Sequence, residues 1–422
     1  MTLSMPRLSN GMKFSLLLFV IVTLHLLSVP IVELKSNAYA YETFYKAVNY
    51  FKEGLSPYAQ YPGFDLYKYS PTFLAFPLLP MSGLPLIPSA ILWQLISTLS
   101  YFLAGYWLFK LWFTDNAGFK QVMTSLSNLP SWLVILGTFL FLTDFHLNGT
   151  YLQSNTIVVA GMMIGVALYI RKQWLWAALV LAFVTNMKLY PIVLVLLLFL
   201  DLRMRFIWAT LFWHLLLIAI PFLLWGSETA IKLYSDWIGT LVIDKALVYQ
   251  EPYIHFFLNL RAFLQVNFNL VFAESYFLIM LFFAALVGIA VLVQRWITQK
   301  HHFTQPQLMM ILAASLMYIL VFSPRTEGPT LVFLGPVYLI TLWQLWHFNE
   351  NSKSEMIWAL ISLFVLTSMS TSDLFRGTFI HDWSWDFNLR VIGLLILFLV
   401  YLYWLFKPPV SIQTPRTTDV HI

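Results

Sequence analysis

Residues 174–200 read WLWAALVLAFVTNMKLYPIVLVLLLFL: two apolar runs, 174–187 and 189–200, with Lys188 between them. Arg171 and Lys172 precede the stretch; Arg203 and Arg205 follow it. At 1.5 Å per residue each run makes a helix of about 18–21 Å, short of a hydrocarbon core of about 30 Å. The two runs therefore read as a hairpin of half-length helices between basic loops on one side of a membrane. Its tip, Thr185-Asn186-Met187-Lys188-Leu189-Tyr190-Pro191, falls inside the external half of the membrane. Non-helical backbone at that depth survives only within protein or against a wet cavity. A lysine there costs about 2.5–3.5 kcal/mol on the insertion scale, so it needs a partner or a task. A snorkelling lysine at a helix end is the plainer alternative.

The rest of the chain agrees with a membrane setting. Of 422 residues, 60% are apolar and 10% charged, and the mean hydropathy is +0.76. A soluble domain carries about 25% charged residues. That composition excludes a soluble enzyme, a disordered chain and a coiled coil. The 17 Trp and 21 Tyr suit interfacial belts. The expected fold class is an all-α polytopic membrane protein with about twelve transmembrane helices: 14–32, 88–112, 131–147, 151–170, 174–187, 189–200, 206–225, 269–294, 307–323, 329–346, 355–371 and 389–406. Residues 1–406 form a single integral-membrane domain, and 407–422 a polar cytoplasmic tail. Basic residues (Arg7, Lys13, Lys110, Lys120, Arg171, Lys172, Arg203, Arg205, Arg295, Lys300, Lys353, Lys407) fall in the segments of one side. Positive-inside reasoning puts both termini in the cytoplasm, in a plasma (inner) membrane. The external side keeps 33–87, 226–268, 372–388 and a short loop from Ser323 to Pro329. Ala38-Tyr39-Ala40 resembles a signal-peptide cleavage site, but the preceding apolar stretch is longer than a usual signal core, so span one is read as retained.

The loop 33–87 is the most informative external segment. Tyr41, Phe44, Tyr45, Val48 and Phe51 line one helical face, and Glu42, Lys46, Asn49 and Glu53 the other; this predicts an amphipathic helix on the membrane surface. Ser70-Pro71 is an N-cap followed by proline at the first helical position. The helix it opens, Pro71–Leu79, is too short to cross and is read as re-entrant.

Several polar residues could carry chemistry at the external face. Asp65, just before the short helix, could take a proton from a hydroxyl acceptor; an ion pair with Lys68 is the alternative. Glu42 is the rival base, opposed by its i,i+4 spacing to Lys46. Lys188 and Arg325 could hold a phosphate. Lys68, Tyr69, Gln153, Asn155, Glu327 and Asp373 could orient substrate, although Gln153 and Asn155 could equally join helices. Asn148-Gly149-Thr150 is a glycosylation sequon by pattern.

Other classes are disfavoured. Absence of Cys removes disulfides, thiolate catalysis and Cys-bound metals. The nine His show no H-x-x-x-H spacing, so no metal site is expected; a carboxylate-held Mg²⁺ or Mn²⁺ stays open. There is no basic stripe for nucleic acid and no P-loop or dinucleotide fingerprint. Without a nucleotide fold, a sugar or phosphate donor should be membrane-borne. The expected partners are thus a lipid-linked donor, an acceptor and the bilayer.

Four segments resemble a known family. They are Phe44-Tyr45-Lys46-Ala47 through Gly54-Leu55-Ser56-Pro57-Tyr58, Tyr67-Lys68-Tyr69-Ser70-Pro71-Thr72-Phe73, Leu152-Gln153-Ser154-Asn155 and Lys188-Leu189-Tyr190-Pro191. Thr326-Glu327-Gly328-Pro329-Thr330 and Ser372-Asp373-Leu374-Phe375 add to them. In order and spacing they resemble the integral-membrane glycosyltransferases of family 87, which include polyprenol-phosphate-mannose-dependent α-1,2-mannosyltransferases. The resemblance implies a GT-C fold and a site at the external face. It also implies inverting transfer of a sugar from a polyprenyl phosphate to a glycolipid or cell-envelope glycan, with no cofactor and an acidic base in the first external loop. The characterised mannosyltransferases carry an Asp at the start of the first amphipathic helix; Ala40 stands there in this chain. The base is therefore sought at Asp65 or Glu42. The rival reading is a transporter or flippase of lipid-linked saccharide, or a non-catalytic relative.

Overall fold

The computed structural model describes residues 8–32, 40–61, 65–113, 119–247, 253–271, 276–297, 302–346, 353–370 and 387–406. Asp373 and the tail 407–422 lie outside these residues. Every described element is a helix. The first half contains α1 (Asn10–Val32), α2 (Ala40–Lys52), α3 (Pro71–Met81), α4 (Leu86–Phe113), α5 (Phe119–Ser127), α6 (Ser131–Thr150), α7 (Asn155–Ile170) and α8 (Trp174–Met187). The second half contains α9 (Ile192–Phe199), α10 (Met204–Leu247), α11 (Leu260–Phe268), α12 (Tyr276–Ile297), α13 (Gln305–Phe322), α14 (Leu334–Trp346), α15 (Lys353–Ser370) and α16 (Arg390–Phe406). Six of them, α1, α4, α6, α10, α12 and α13, are long and apolar enough to cross a membrane.

The six do not share one environment. The apolar window of α13 is 89% buried inside the protein, against 22% for α1 and α12 and 17% for α10. Helix α13 is therefore the hub, and α1, α10 and α12 turn apolar side chains such as Leu24, Leu215 and Leu278 outward. Outward leucine is stable where the surroundings are hydrocarbon.

Helices form on both sides of Lys188, but the two arms pack on other helices, α8 on α7 and α10 and α9 on α13, more than on each other; the approach of α8 to α7 has a specific cause. Gly161 and Gly165 sit four residues apart on α7. A Cβ added at Gly161 would collide with Val184, and one at Gly165 with Leu181, both on α8. Small residues at this spacing let two apolar helices approach closely in lipid. Helix α8 ends because Lys188 is extended (φ −141°, ψ 134°), and Pro191 biases Tyr190 away from helix and lacks an N–H. The chain restarts as α9 just beyond it.

Two segments differ from expectation. The apolar face of α2 is covered by protein rather than laid on a membrane surface: Phe44 packs edge-on to Tyr69, Phe73 and Trp93, and Phe51 meets Trp225. Aromatics from four other segments supply that cover. The span at 206–225 does not end in a loop. After a break at Gly226, whose φ of +79° suits glycine, the helix resumes to Leu247. This second half of α10 presents Asp236, Thr240 and Asp244 at four-residue intervals, one face of a helix. That face binds the loop between α2 and α3. Ser56 Oγ donates to Asp236, Thr240 Oγ1 to Tyr58 O, and Trp237 Nε1 to Lys68 O at 3.0 Å.

The cap of α3 is as read: Pro71 opens the helix and Ser70 Oγ accepts from Phe73 N. Beyond Phe73 the helix is kinked at Phe76 (φ −149°, ψ 117°), and short helical turns continue to Met81.

Candidate functional site

The break after α8 puts Lys188 against the turn between α6 and α7. Its Nζ donates to Asn155 Oδ1 at 2.5 Å, and the same oxygen accepts from Tyr190 OH at 2.8 Å. The ammonium lies 5.1 Å from the Tyr69 ring centroid and 5.7 Å from that of Tyr190, within cation–π range. Tyr69 OH in turn shares a 2.7 Å hydrogen bond with Ser154 Oγ. The hairpin tip is also held directly: Ser70 Oγ donates to Asn186 O. Thr185, Asn186 and Met187 of the tip are buried in protein, while Leu189 is exposed.

No described carboxylate stands within ion-pair distance of Lys188. An ammonium has three donors, and one is used. Two donors of a half-buried cation are left for something else.

A chain of alternating charges lies in electrostatic range of that lysine. Lys68 Nζ is 2.7 Å from Asp65 Oδ2 and 3.5 Å from Asp244 Oδ1. Asp244 is engaged from its other side by Arg325, whose Nε donates to Oδ2 at 2.6 Å and whose second nitrogen meets Oδ1. This two-point match is the strong guanidinium–carboxylate geometry. Arg325 also reaches Glu327 Oε1 at 3.4 Å and lies over the Phe257 ring. The chain ties together the loop between α2 and α3, the second half of α10 and the loop 323–328. Exposure grades along it: Asp244 is 8% exposed, Arg325 28%, Glu327 35% and Asp65 70%. Burial, the larger influence, pushes the Lys68 ammonium below the ordinary lysine value; Asp65 pulls it back up, and Arg325 adds to the lowering.

The predicted residues fall into three groups. Asp65, Lys68, Tyr69, Asn155, Lys188, Arg325 and Glu327 meet in this one region. Glu42 is not among them: it pairs with Lys46 at 2.8 Å, on the face of α2 opposite the Phe44 contacts. Gln153 follows the α6–α7 turn, and its side chain makes no hydrogen bond to the described residues; its N–H donates to Asn148 O. Asp373 lies outside the described residues. Asn148 is fully buried, donates to Pro329 O at 2.8 Å and accepts from Thr156. The sequon pattern is therefore a buttress between the α6–α7 turn and the 328–333 turn, closed to glycosylation in the folded chain.

Sequence reasoning missed Asp244, the most buried acid of the chain of charges. Its signal was the Asp236–Thr240–Asp244 spacing, masked by the expectation of a loop at 226–268. Tyr190 was quoted as part of the tip without being assigned its bond to Asn155. Among the described residues no three His, Asp or Glu are grouped as metal ligands.

A membrane-inserted, all-helical chain with an enclosed lysine beside paired acids and bases defines the class. The profile of glycosyltransferase family 87 matches residues 67–324, and the chain belongs to that family. The match takes in Lys68, Tyr69, Asn155, Lys188 and Asp244, and begins two residues after Asp65. No curated protein matches the chain. The activity class is therefore glycosyl transfer.

Proposed function

We propose that the protein moves a hexose, mannose by the resemblance, from a polyprenyl-phosphate donor to a lipid-linked or cell-envelope glycan acceptor, at the external membrane face. The observation that carries this is Lys188: an enclosed ammonium with two donors to spare, beside a second cation, Arg325, already oriented. A phosphate diester supplies the acceptor oxygens that the lysine lacks. Donors aimed at the leaving phosphate matter most as its charge develops.

The step balances within these residues. The acceptor hydroxyl oxygen attacks the anomeric carbon from the face opposite the phosphate. The carbon–oxygen bond to phosphate breaks, and its electron pair leaves on polyprenyl phosphate, held by Lys188 and Arg325. The hydroxyl proton passes to Asp65, and the anomeric centre inverts. Asp65 is preferred to Glu42 because it is open to an arriving acceptor and belongs to the same chain of charges. Asp244 touches neither partner in this scheme; it positions Arg325 and Lys68. Lys68, Tyr69, Gln153, Asn155 and Glu327 orient donor or acceptor.

The test is transfer itself. Purified protein in lipid receives radiolabelled polyprenyl-phosphate mannose and a crude glycolipid acceptor extract of its host. Label moving into a larger glycan, and lost in Lys188→Ala, is the expected result. Label crossing the bilayer on unchanged donor would overturn the enzyme in favour of a flippase.

A further inference from the structure

At the far end of α8 from Lys188, about 21 Å away along the helix, a second set of cations surrounds an open cavity of about 490 Å³. It is lined by Lys172, Trp174, Leu175, Trp176 and Arg205, with Gln173 and Ala209. The other arginines near this end are occupied. Arg171 stacks on Trp107 at 4.4 Å, Arg203 Nε donates to Asp201 at 3.1 Å, and Arg295 donates to Leu200 O. Lys172 and Arg205 are exposed and have no hydrogen-bond or ion-pair partner among the described residues.

Both face a cavity whose other walls, apart from Gln173, are apolar and aromatic. Beside it α8 and α10 turn outward Leu175, Trp176, Trp208, Phe212 and Leu215, each at least half exposed. Tryptophan marks the level of lipid headgroups, and the outward face below it is hydrocarbon surface. Two free cations at that level complement an anion that carries acyl chains. Basic pockets between helices at one membrane face are suited to lipid phosphates.

We propose that this cavity binds the headgroup of an anionic phospholipid of that leaflet, with Lys172 and Arg205 on the phosphate and the chains against Trp176, Trp208 and Phe212. The site is separate from the glycosyl-transfer centre and stands whether or not the donor assignment holds. It fixes the base of the hairpin whose tip carries Lys188.

The test is lipid retention. Protein is reconstituted in equal phosphatidylglycerol and phosphatidylcholine of identical chains, released, and its bound lipid read by native mass spectrometry. Wild type should retain phosphatidylglycerol over phosphatidylcholine by about fivefold or more. Lys172→Gln/Arg205→Gln should bring the ratio near one, with an unchanged melting temperature because both side chains are exposed. Lys110→Gln, at the same end but outside the cavity, should leave the ratio as in wild type. Equal retention of both lipids by wild type, or an undiminished preference in the double variant, overturns the proposal. Release of the lipid by soluble glycerol phosphate at millimolar concentration would also overturn it, and would assign the cavity to a free phosphate.

Discussion

The two ends of the Trp174–Leu200 hairpin each hold a charged centre, and the two are built in opposite ways. At one end Asp201, 1% exposed, is saturated. Its Oδ2 accepts from Tyr169 OH at 2.7 Å and Arg203 Nε at 3.1 Å, its Oδ1 accepts from Phe303 N at 2.7 Å, and His302 lies at 3.6 Å. At the other end Lys188 keeps one bond, to an amide oxygen. A buried charge whose sites are all filled from within the chain fastens segments together. One left short of partners is a place where a ligand completes the set. By this criterion Asp201 clasps the last turn of α7, the loop after α9 and the segment before α13, and Lys188 belongs to the working site.

The contrast can be broken by substitution. Lys188→Ala should lower kcat/KM for sugar transfer by about a hundredfold or more, the scale for losing a donor to developing charge. The melting temperature should change little. Asp65→Asn should cost about 10²–10⁴ in kcat as the base is removed, and Glu42→Gln under twofold; the reverse order would move the base to α2. Asp201→Asn should act on the fold instead. Weakening the bonds from Tyr169, Arg203 and Phe303 costs about 1–3 kcal/mol, read as a lowered melting temperature, while the protein that remains folded keeps its KM for donor. Asp244→Asn sharpens the comparison, because Asp244 is as enclosed as a clasp yet holds site cations. It should raise the donor KM by about tenfold, with Asp244→Glu recovering part of the loss; a change in stability alone would make it a second clasp.

The smallest effect is in pH. Burial lowers the Lys68 ammonium from the ordinary lysine value. In the folded protein the proton is therefore lost at a lower pH than in the unfolded chain. The positive charge beside Asp65 and Asp244 disappears as pH rises through that lowered value. Donor binding should then weaken on the alkaline side earlier than an unburied lysine would require, and Lys68→Arg should carry the limb to higher pH. An identical profile for Lys68→Arg would remove Lys68 from donor binding.

Much of this was legible before any coordinates. Half-length apolar runs around a lysine announce a broken hairpin, and Ser70-Pro71 announces a helix start, because both depend on neighbours in sequence. What escaped depended on long-range placement. Residues 226–247 look like a polar loop because the period-four stripe of Asp236, Thr240 and Asp244 is interrupted by exposed Ile238, Val242 and Ile243. Only the packing of that face on Ser56, Tyr58 and Lys68 makes it part of the site. Likewise the sequence already set Glu42 opposite Lys46 and Asp65 near Lys68; both pairs form, and only the reach of Lys68 to Asp244 joins Asp65 to the site. The approach of α7 to α8 was present as Gly161-x-x-x-Gly165, a pattern that gains meaning once Val184 and Leu181 are seen across from it.

The central claim is that Lys188 holds the donor phosphate, and it is tested most directly by donor binding. Wild type, Lys188→Met and Asp201→Asn are titrated in detergent with a non-transferable polyprenyl-phosphate sugar analogue. The account predicts that Lys188→Met keeps the wild-type melting temperature and loses at least tenfold in affinity, whereas Asp201→Asn melts lower and binds as wild type while folded. Unchanged affinity in Lys188→Met would contradict it and return the lysine to a helix-end cation without a ligand.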